Sequence, residues 1–460
     1  MFNLQKIGLK PLTWVIFVLS YGSVPLVYAN SNLSVMTDEQ MSETTGQALM
    51  SLSYISPTDS ANLQSKNAPG SNIGFYKLGM EAELELNANI KKLQLGCGGV
   101  NGAGACDIDI DNLSISGQGA TSAERASSSA KLTNPFLEFA IRNPQSASTR
   151  EVVGLRVSSE KAQGLLTVGT NNDQPNGINT LSGYMVVDGY GNATTKEGTF
   201  GLKPGETVNT TADIGIILCT SGCGSNQGLT AGYGAGSSGS NKGIKIPSMV
   251  APFTVNNAVV SGNRLTSANV NASALIPDIP INQNSGQLGA SLNQQACVAL
   301  FICVQNTFIK LNTTVTGLKA DINFSEDLGY IHNLPINSSV YLALQQQALQ
   351  WPGAKEVALK GWWLSMQDPV NLGDITPTDQ IDISSVYGQF ATILGQKLQE
   401  PAYKISVNTG DGLQALFGTG ITKTVSPVNL SDRSVSIGLK DLKLSTQNVV
   451  PNCYGSLKFC

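Results

Sequence analysis

Charge is scarce in this 460-residue chain. Lys, Arg, Asp and Glu make up 13% of it, about half of the usual share near 25%. The net charge of −4 is small for the length, and no basic cluster stands out. Nucleic acid and anionic membranes are therefore poor partners. Histidine is scarcer still. The single residue, His332, gives a mixed Cys/His zinc site or a Ser-His-Asp relay with Asp327 only one imidazole to draw on. No G-x-S-x-G elbow is present, and "GTGITKT" around Thr419 lacks the G-K-[ST] pair of a phosphate loop. A pair of hydrolytic carboxylates leaves no local signature, so carbohydrate cleavage stays open. Beyond the N-terminus no window offers about 18 consecutive apolar residues, the length of a membrane-spanning helix. What fills the surface is Ser, Thr, Asn and 48 glycines, a polar but nearly uncharged composition that suits an extracellular β-rich protein.

The N-terminus and the cysteines point the same way. Lys6 and Lys10 precede a short apolar stretch, Pro11 to Leu19, and Val27 and Ala29 occupy the −3 and −1 positions of a cleavage site. Residues 1–29 read as a secretory signal peptide, with the mature chain starting at Asn30. No cysteine follows that site closely, which argues against a lipid anchor. Eight cysteines fall into four close couples: Cys97 with Cys106, Cys219 with Cys223, Cys297 with Cys303, and Cys453 with Cys460. In an exported chain these are expected to be structural disulfides that pin loops and the C-terminus. "CVALFIC" needs a turn or bulge between its ends. Zinc is disfavoured, because the couples lie far apart and lack histidine.

Period-two alternation dominates. In "MEAELELNANI" (80–90) Met80, Ala82, Leu84, Leu86 and Ala88 alternate with polar residues, and "DIDIDNLSISG" (107–117) repeats the pattern with a phase shift before Leu113. Further strands are expected in "EVVGLRVSS", "SGYMVVDGYG", "ADIGIILC", "KLNTTVTGLKADINF", "KEVALKGWWLSM", "DQIDISSVYG" and "SVSIGLKDLKLS". Helix is expected only at 38–44, 158–163 and 339–350. The fold class is all-β with minor helix, in one or two β-sandwich-like domains with disulfide-pinned loops. The Gly/Ser-rich stretch 228–243 reads either as a linker between β-rich domains at 56–227 and 244–460 or as a loop inside one domain.

Residues 30–55 form a separate opening device. Thr37 and Gln40 make a capping box, Asp38 and Glu39 suit the first helical turn, and Gly46 ends the helix. A strand follows in which Ala48, Met50, Leu52 and Tyr54 form an apolar face. It either completes its own sheet or is lent to another chain by β-augmentation. "LSVMTDEQMSETTGQALMSL" (33–52) resembles the opening of the FilA-type family of pilus- and fimbria-assembly proteins of Acinetobacter and related Gram-negative bacteria. "CDIDIDNLSISG", the stretch 130–167 and the ending "LSTQNVVPNCYGSLKFC" are also similar to that group. The resemblance implies a surface or fibre-associated structural protein and brings no catalytic residue. Its partners would be other pilus or surface-assembly proteins, or further copies joined through strand edges, reached through the periplasm. The alternative is a secreted carbohydrate-binding or carbohydrate-cleaving β-protein.

Two constellations carry site chemistry. Asp107, Asp109 and Asp111, followed by Asn112, have the spacing of calcium-loop ligands, but the twelfth position is Gln118 rather than a bidentate Glu. Alternate aspartates also fall on one wet face of a strand with no metal. Trp362 and Trp363 must point to opposite faces of a strand, so one can fill a core while the other meets sugar or protein. Both can also be buried under neighbouring structure. No cofactor is otherwise expected.

Overall fold

The computed structural model describes residues 50–452, apart from 172–173, 299–301 and 446. The signal peptide, the capped segment before Met50, and Cys453 and Cys460 lie outside the described residues. Leu49–Cys460 form one compact unit, and the chain is all-β with minor helix.

Two sheets carry the fold. The path of the larger one runs Met50–Ile55, Ile73–Met80, Ala130–Arg142, Glu151–Thr167, Val340–Gln345, Gly361–Met366, Ile178–Thr194, Val250–Leu265, Ser267–Leu275, Lys319–Asp327 and Ser434–Lys440. The smaller runs Ile279–Ile281, Ile302–Thr316, Gly286–Val298, Gly224–Gly232, Thr207–Gly215 and Ile405–Asn408. One apolar core joins them: Leu166, Met185 and Val187 from the larger sheet and Val208, Leu229 and Ile309 from the smaller belong to the same buried cluster. This is the two-layer solution expected of sheets with one apolar face.

Residues 228–243 lie inside the Leu49–Cys460 unit rather than between two units. Residues 228–232 complete a strand paired with Thr207–Gly215 and Gly286–Val298, and Ala235 and Ser240 beyond it are buried. Asn241 holds the following loop. Its Nδ2 donates to the carbonyls of Gly201 (2.7 Å) and Gly232 (2.9 Å), while Oδ1 accepts from the N–H groups of Gly243 and Gly289. The glycines that suggested a flexible connector serve close backbone packing instead. A Cβ on Gly289 would stand 2.1 Å from the Ala235 carbonyl oxygen.

The phase shift in "DIDIDNLSISG" is present as a change of partner. Ile108 and Ile110 pair with Ile178–Thr194, Asn112 takes a left-handed φ of 51°, and Ser114–Ser116 pair with Glu151–Thr167. Helices depart from expectation. Residues 158–163 lie within the Glu151–Thr167 strand, and 340–345 form the Val340–Gln345 strand. The expected strand "DQIDISSVYG" is instead the approach to a helix, Tyr387–Lys397, whose Phe390, Ala391 and Leu394 enter the main core. A second, shorter helix, Thr409–Leu416, starts with a capping box between Asn408 and Asp411.

Three of the four expected cysteine couples are disulfides: Cys97–Cys106, Cys219–Cys223 and Cys297–Cys303. Cys297 and Cys303 face each other across adjacent antiparallel strands. Such bridges fit a chain that folds in an oxidising, extracytoplasmic compartment. Among the described residues no helix is long and apolar enough to cross a membrane.

Candidate interaction surface

The aspartate triad does not converge on one point. Asp107 is buried beside the Cys97–Cys106 loop, where its Oδ2 accepts from the Trp362 backbone N–H (3.0 Å) and its Oδ1 from Asn101 Nδ2 (3.0 Å). Asp109 and Asp111 stand together, but the Lys92 ammonium lies between them, 2.5 and 3.0 Å from their oxygens. Asn179 Nδ2 bridges the same two carboxylates. Burial raises the Asp109 pKa, but Lys92, Gln94 and Asn179 hold it, on balance, below its ordinary value. Lys92 supplies the positive charge that a cation would bring, and no group of three or more His, Cys, Asp or Glu side chains with metal-holding geometry exists among the described residues.

His332 is a buried structural residue. Its Nδ1 lies 3.1 Å from the Val168 carbonyl, and burial pushes its pKa down, towards the neutral ring. Asp327 is engaged elsewhere, accepting from the Gly329 N–H (2.8 Å).

The tryptophans part as strand geometry requires. Trp363 is 1% exposed and packs with Phe75, Tyr341 and Trp351 in a second core on one face of the larger sheet. Residues 346–360 cover that face through Leu349, Trp351, Ala354 and Ala358. Glu356 pins the cover down: it accepts from the Tyr341 hydroxyl (2.5 Å), Ser365 Oγ (2.7 Å) and Gln367 Nε2 (2.8 Å). Burial, then the Glu356 charge, pushes the Tyr341 pKa well up. Beside them the Arg156 guanidinium sits 5.3 Å from each of the Phe136, Tyr341 and Trp351 ring centroids and pairs with buried Glu138. Burial raises the Glu138 pKa against the opposing pull of Arg156. These groups are consumed by one another and present no reactive atom to a substrate.

Trp362 points the other way and is half-buried. It ends a row of side chains that faces across six neighbouring strands: Tyr54, Tyr76, Phe139, Leu155, Leu344 and Trp362. Two residues along, a parallel row holds Leu52, Leu78, Leu137, Val157, Leu342 and Leu364. Residues directly opposite on paired strands share a face, so twelve apolar side chains tile one surface without a charge. The inner end of this surface merges with the main core through Leu342, Leu364 and Trp362. Its outer part is open: Leu52 is 75% exposed, and Leu137, Val157 and Leu344 are exposed as well. Sequence reasoning found only Trp362 and the apolar face of the opening strand. The other rows sit on strands far apart in the chain and become neighbours only through sheet register.

The outermost strand is Met50–Ile55. It pairs antiparallel with Ile73–Met80 on one side and, among the described residues, with no strand on the other. Tyr54 stacks on Tyr76 with centroids 4.3 Å apart. The apolar cavity between the sheets, near Met249, Ala251, Ala320 and Phe390, measures about 60 Å³, against about 300–1,000 Å³ for ordinary ligand pockets. A polar cleft of about 280 Å³ lies beside Ser51 and Asn134, where Lys77 and Glu160 pair with each other at 3.3 Å. No protein-family model, no curated protein and no solved structure matches the chain.

Proposed function

We propose that this protein is an exported, non-enzymatic structural or adhesive component of a bacterial surface fibre, joining its partners through a β-strand edge. The observation that carries the reading is the Met50–Ile55 strand. Its outer row of backbone N–H and C=O groups is unpaired among the described residues, and its sequence, MSLSYI, contains no charge and no proline. Monomeric proteins blunt such edges with lysine, proline, bulges or a covering segment. An edge left open and apolar is a template for an added strand. The disulfides, the sparse charge, the leader-like N-terminus and the resemblance to pilus-assembly proteins support the same reading. The route would be the periplasm, then the cell surface.

Ser53→Lys tests it. Ser53 is exposed and stands opposite Lys77 in register, so a lysine there charges the edge at the cost of one like-charge cross-strand pair, and thermal unfolding checks that the variant is folded. In a piliated Gram-negative host the wild-type chain is expected in the sheared surface fraction, and the variant is expected to accumulate as a folded periplasmic protein. A wild-type chain that never reaches the surface fraction, or a variant that reaches it equally, would refute the proposal.

A further inference from the structure

We infer that the strand joining the Met50–Ile55 edge carries a basic side chain, lysine or arginine, which enters the polar cleft beside that edge; this names the chemistry of the edge's partner and rests on the fibre reading. In strand addition the main-chain hydrogen bonds supply affinity, and pockets for alternate side chains supply selectivity. A residue of the added strand directly opposite Ser51 points to the same face as Ser51. That face continues inward through Gly79, opposite Ser51, and Phe136, opposite Gly79. The cleft of about 280 Å³ opens there, with Ser51, Lys77, Gly79, Glu81, Asn134 and Glu160 among its lining residues. The way in from the edge is kept low. Ser51 is short, and a Cβ on Gly79 would stand 2.8 Å from Ser51 Oγ, so glycine leaves the path clear for a long incoming side chain.

The charges of the cleft select the sign of its occupant. The Lys77 ammonium is already engaged, 3.3 Å from Glu160 and 4.2 Å from the Phe136 ring centroid. Asn134 Nδ2 donates to the other Glu160 oxygen (2.8 Å), and Asn134 and Lys77 hold the Glu160 carboxyl below its ordinary pKa. Glu81 is exposed and has no hydrogen-bond or ion-pair partner among the described residues. With Lys77 and Glu160 balancing each other, one carboxylate is left over. An incoming ammonium or guanidinium pairs with it, and an incoming carboxylate is repelled. A free small molecule fits less well. Ligand sites bury about 70–90% of their ligand, whereas Ser51, Met80, Glu81 and Glu160 leave this cleft open to solvent. A side chain carried on a strand needs no such enclosure, because the backbone ladder holds it in place.

Fluorescence anisotropy with labelled peptides of alternating Val and Thr tests this on the full chain. The Val row extends the apolar face, the Thr row lies over the cleft, and one central Thr is kept or replaced by Arg or Glu. The wild type is expected to bind the Arg peptide about two- to fivefold tighter than the Thr peptide, and the Glu peptide least. Glu81→Gln should erase the preference for Arg, and Glu81→Lys should reverse the order of the Arg and Glu peptides. Asp379→Lys, the same charge change at an exposed position outside the cleft, should leave the order as it is. Equal affinities for the three peptides, no binding of any of them, or a Glu81→Lys chain that still prefers Arg would overturn the inference. Free arginine bound as tightly as the Arg peptide would make the cleft a small-ligand site and overturn it too. The surface fraction separates the two readings. If Ser53→Lys stays in the periplasm while Glu81→Lys reaches the surface like the wild type, the edge reading stands and the role of the cleft is overturned. If Ser53→Lys reaches the surface equally, both fall.

Discussion

Glu326 makes the stability of this protein depend on pH in a direction opposite to that of most carboxylates. It lies on the Lys319–Asp327 strand, between Ser267–Leu275 and Ser434–Lys440, and is 9% exposed. Both carboxyl oxygens approach one donor, the Leu442 N–H, at 2.9 and 3.0 Å. Burial raises its pKa most, the Leu442 N–H lowers it, and the charges of Asp441 and Asp327 raise it again, bringing it from 4.5 to about 7. The folded chain thus holds this proton over a range in which the unfolded chain has released it. The contribution to stability is fully present below about pH 4.5 and declines as pH rises towards 7. Each pH unit of that range is worth about 1.4 kcal/mol, so the loss across it amounts to about 3 kcal/mol. Glu326→Gln keeps an acceptor for the Leu442 N–H and cannot ionise. Urea unfolding at about pH 5 and about pH 8 should show a wild-type midpoint that falls and a variant midpoint that falls much less. At the higher pH the variant should be the more stable protein. Equal pH slopes for the two chains, or a variant weaker than wild type at about pH 8, would refute this account of Glu326.

Two further outcomes follow from the sites already described. Arg156→Met leaves Glu138 buried without its partner and should cost about 3–5 kcal/mol in urea unfolding, while Arg156→Met combined with Glu138→Leu should recover most of it; an additive double variant would show that the pair is not coupled. Because the Lys92 ammonium already sits between Asp109 and Asp111, calcium or a chelator should leave the melting temperature unchanged, and a calcium-dependent rise would mean that the ammonium is displaced.

Much of the β content was legible because strands with one wet face write their period into the sequence. Ile108 and Ile110 alternate with aspartates, and the slip before Leu113 marks Asn112, whose left-handed backbone lets one strand serve two neighbours. Three of the cysteine couples were legible for a similar reason, since short spacings leave few geometries. The Tyr387–Lys397 helix was missed although Phe390, Ala391 and Leu394 carry helical spacing, because Ile381 and Ile383 just before it alternate like a strand. The role of Lys92 could not be read at all. It meets Asp109 and Asp111 through the register of two antiparallel strands, which local pattern does not specify.

The misreading of residues 339–350 as helix has the same physical origin as the open face. In Val340–Gln345 nearly every residue is apolar, so period two vanishes and a short apolar run cannot be told from a helix. Continuous apolar character in a strand means that both of its faces are built to leave water. For Tyr341 and Ala343 the structure shows what covers them: Trp351 and the rest of the 346–360 segment. For Leu344 on the opposite face it shows no cover, and the residue remains exposed. The same asymmetry recurs on Glu151–Thr167, where Val153 is buried in the second core while Val157 is open. Scattered exposed leucines would need no explanation. Leu137, Val157 and Leu344 stand exposed instead on three adjacent strands, Ala130–Arg142, Glu151–Thr167 and Val340–Gln345, whose other side buries Ala140, Val153, Tyr341 and Ala343 in the second core. The fold covers one side of this half of the sheet with the 346–360 segment and leaves these three side chains on the other side open to solvent.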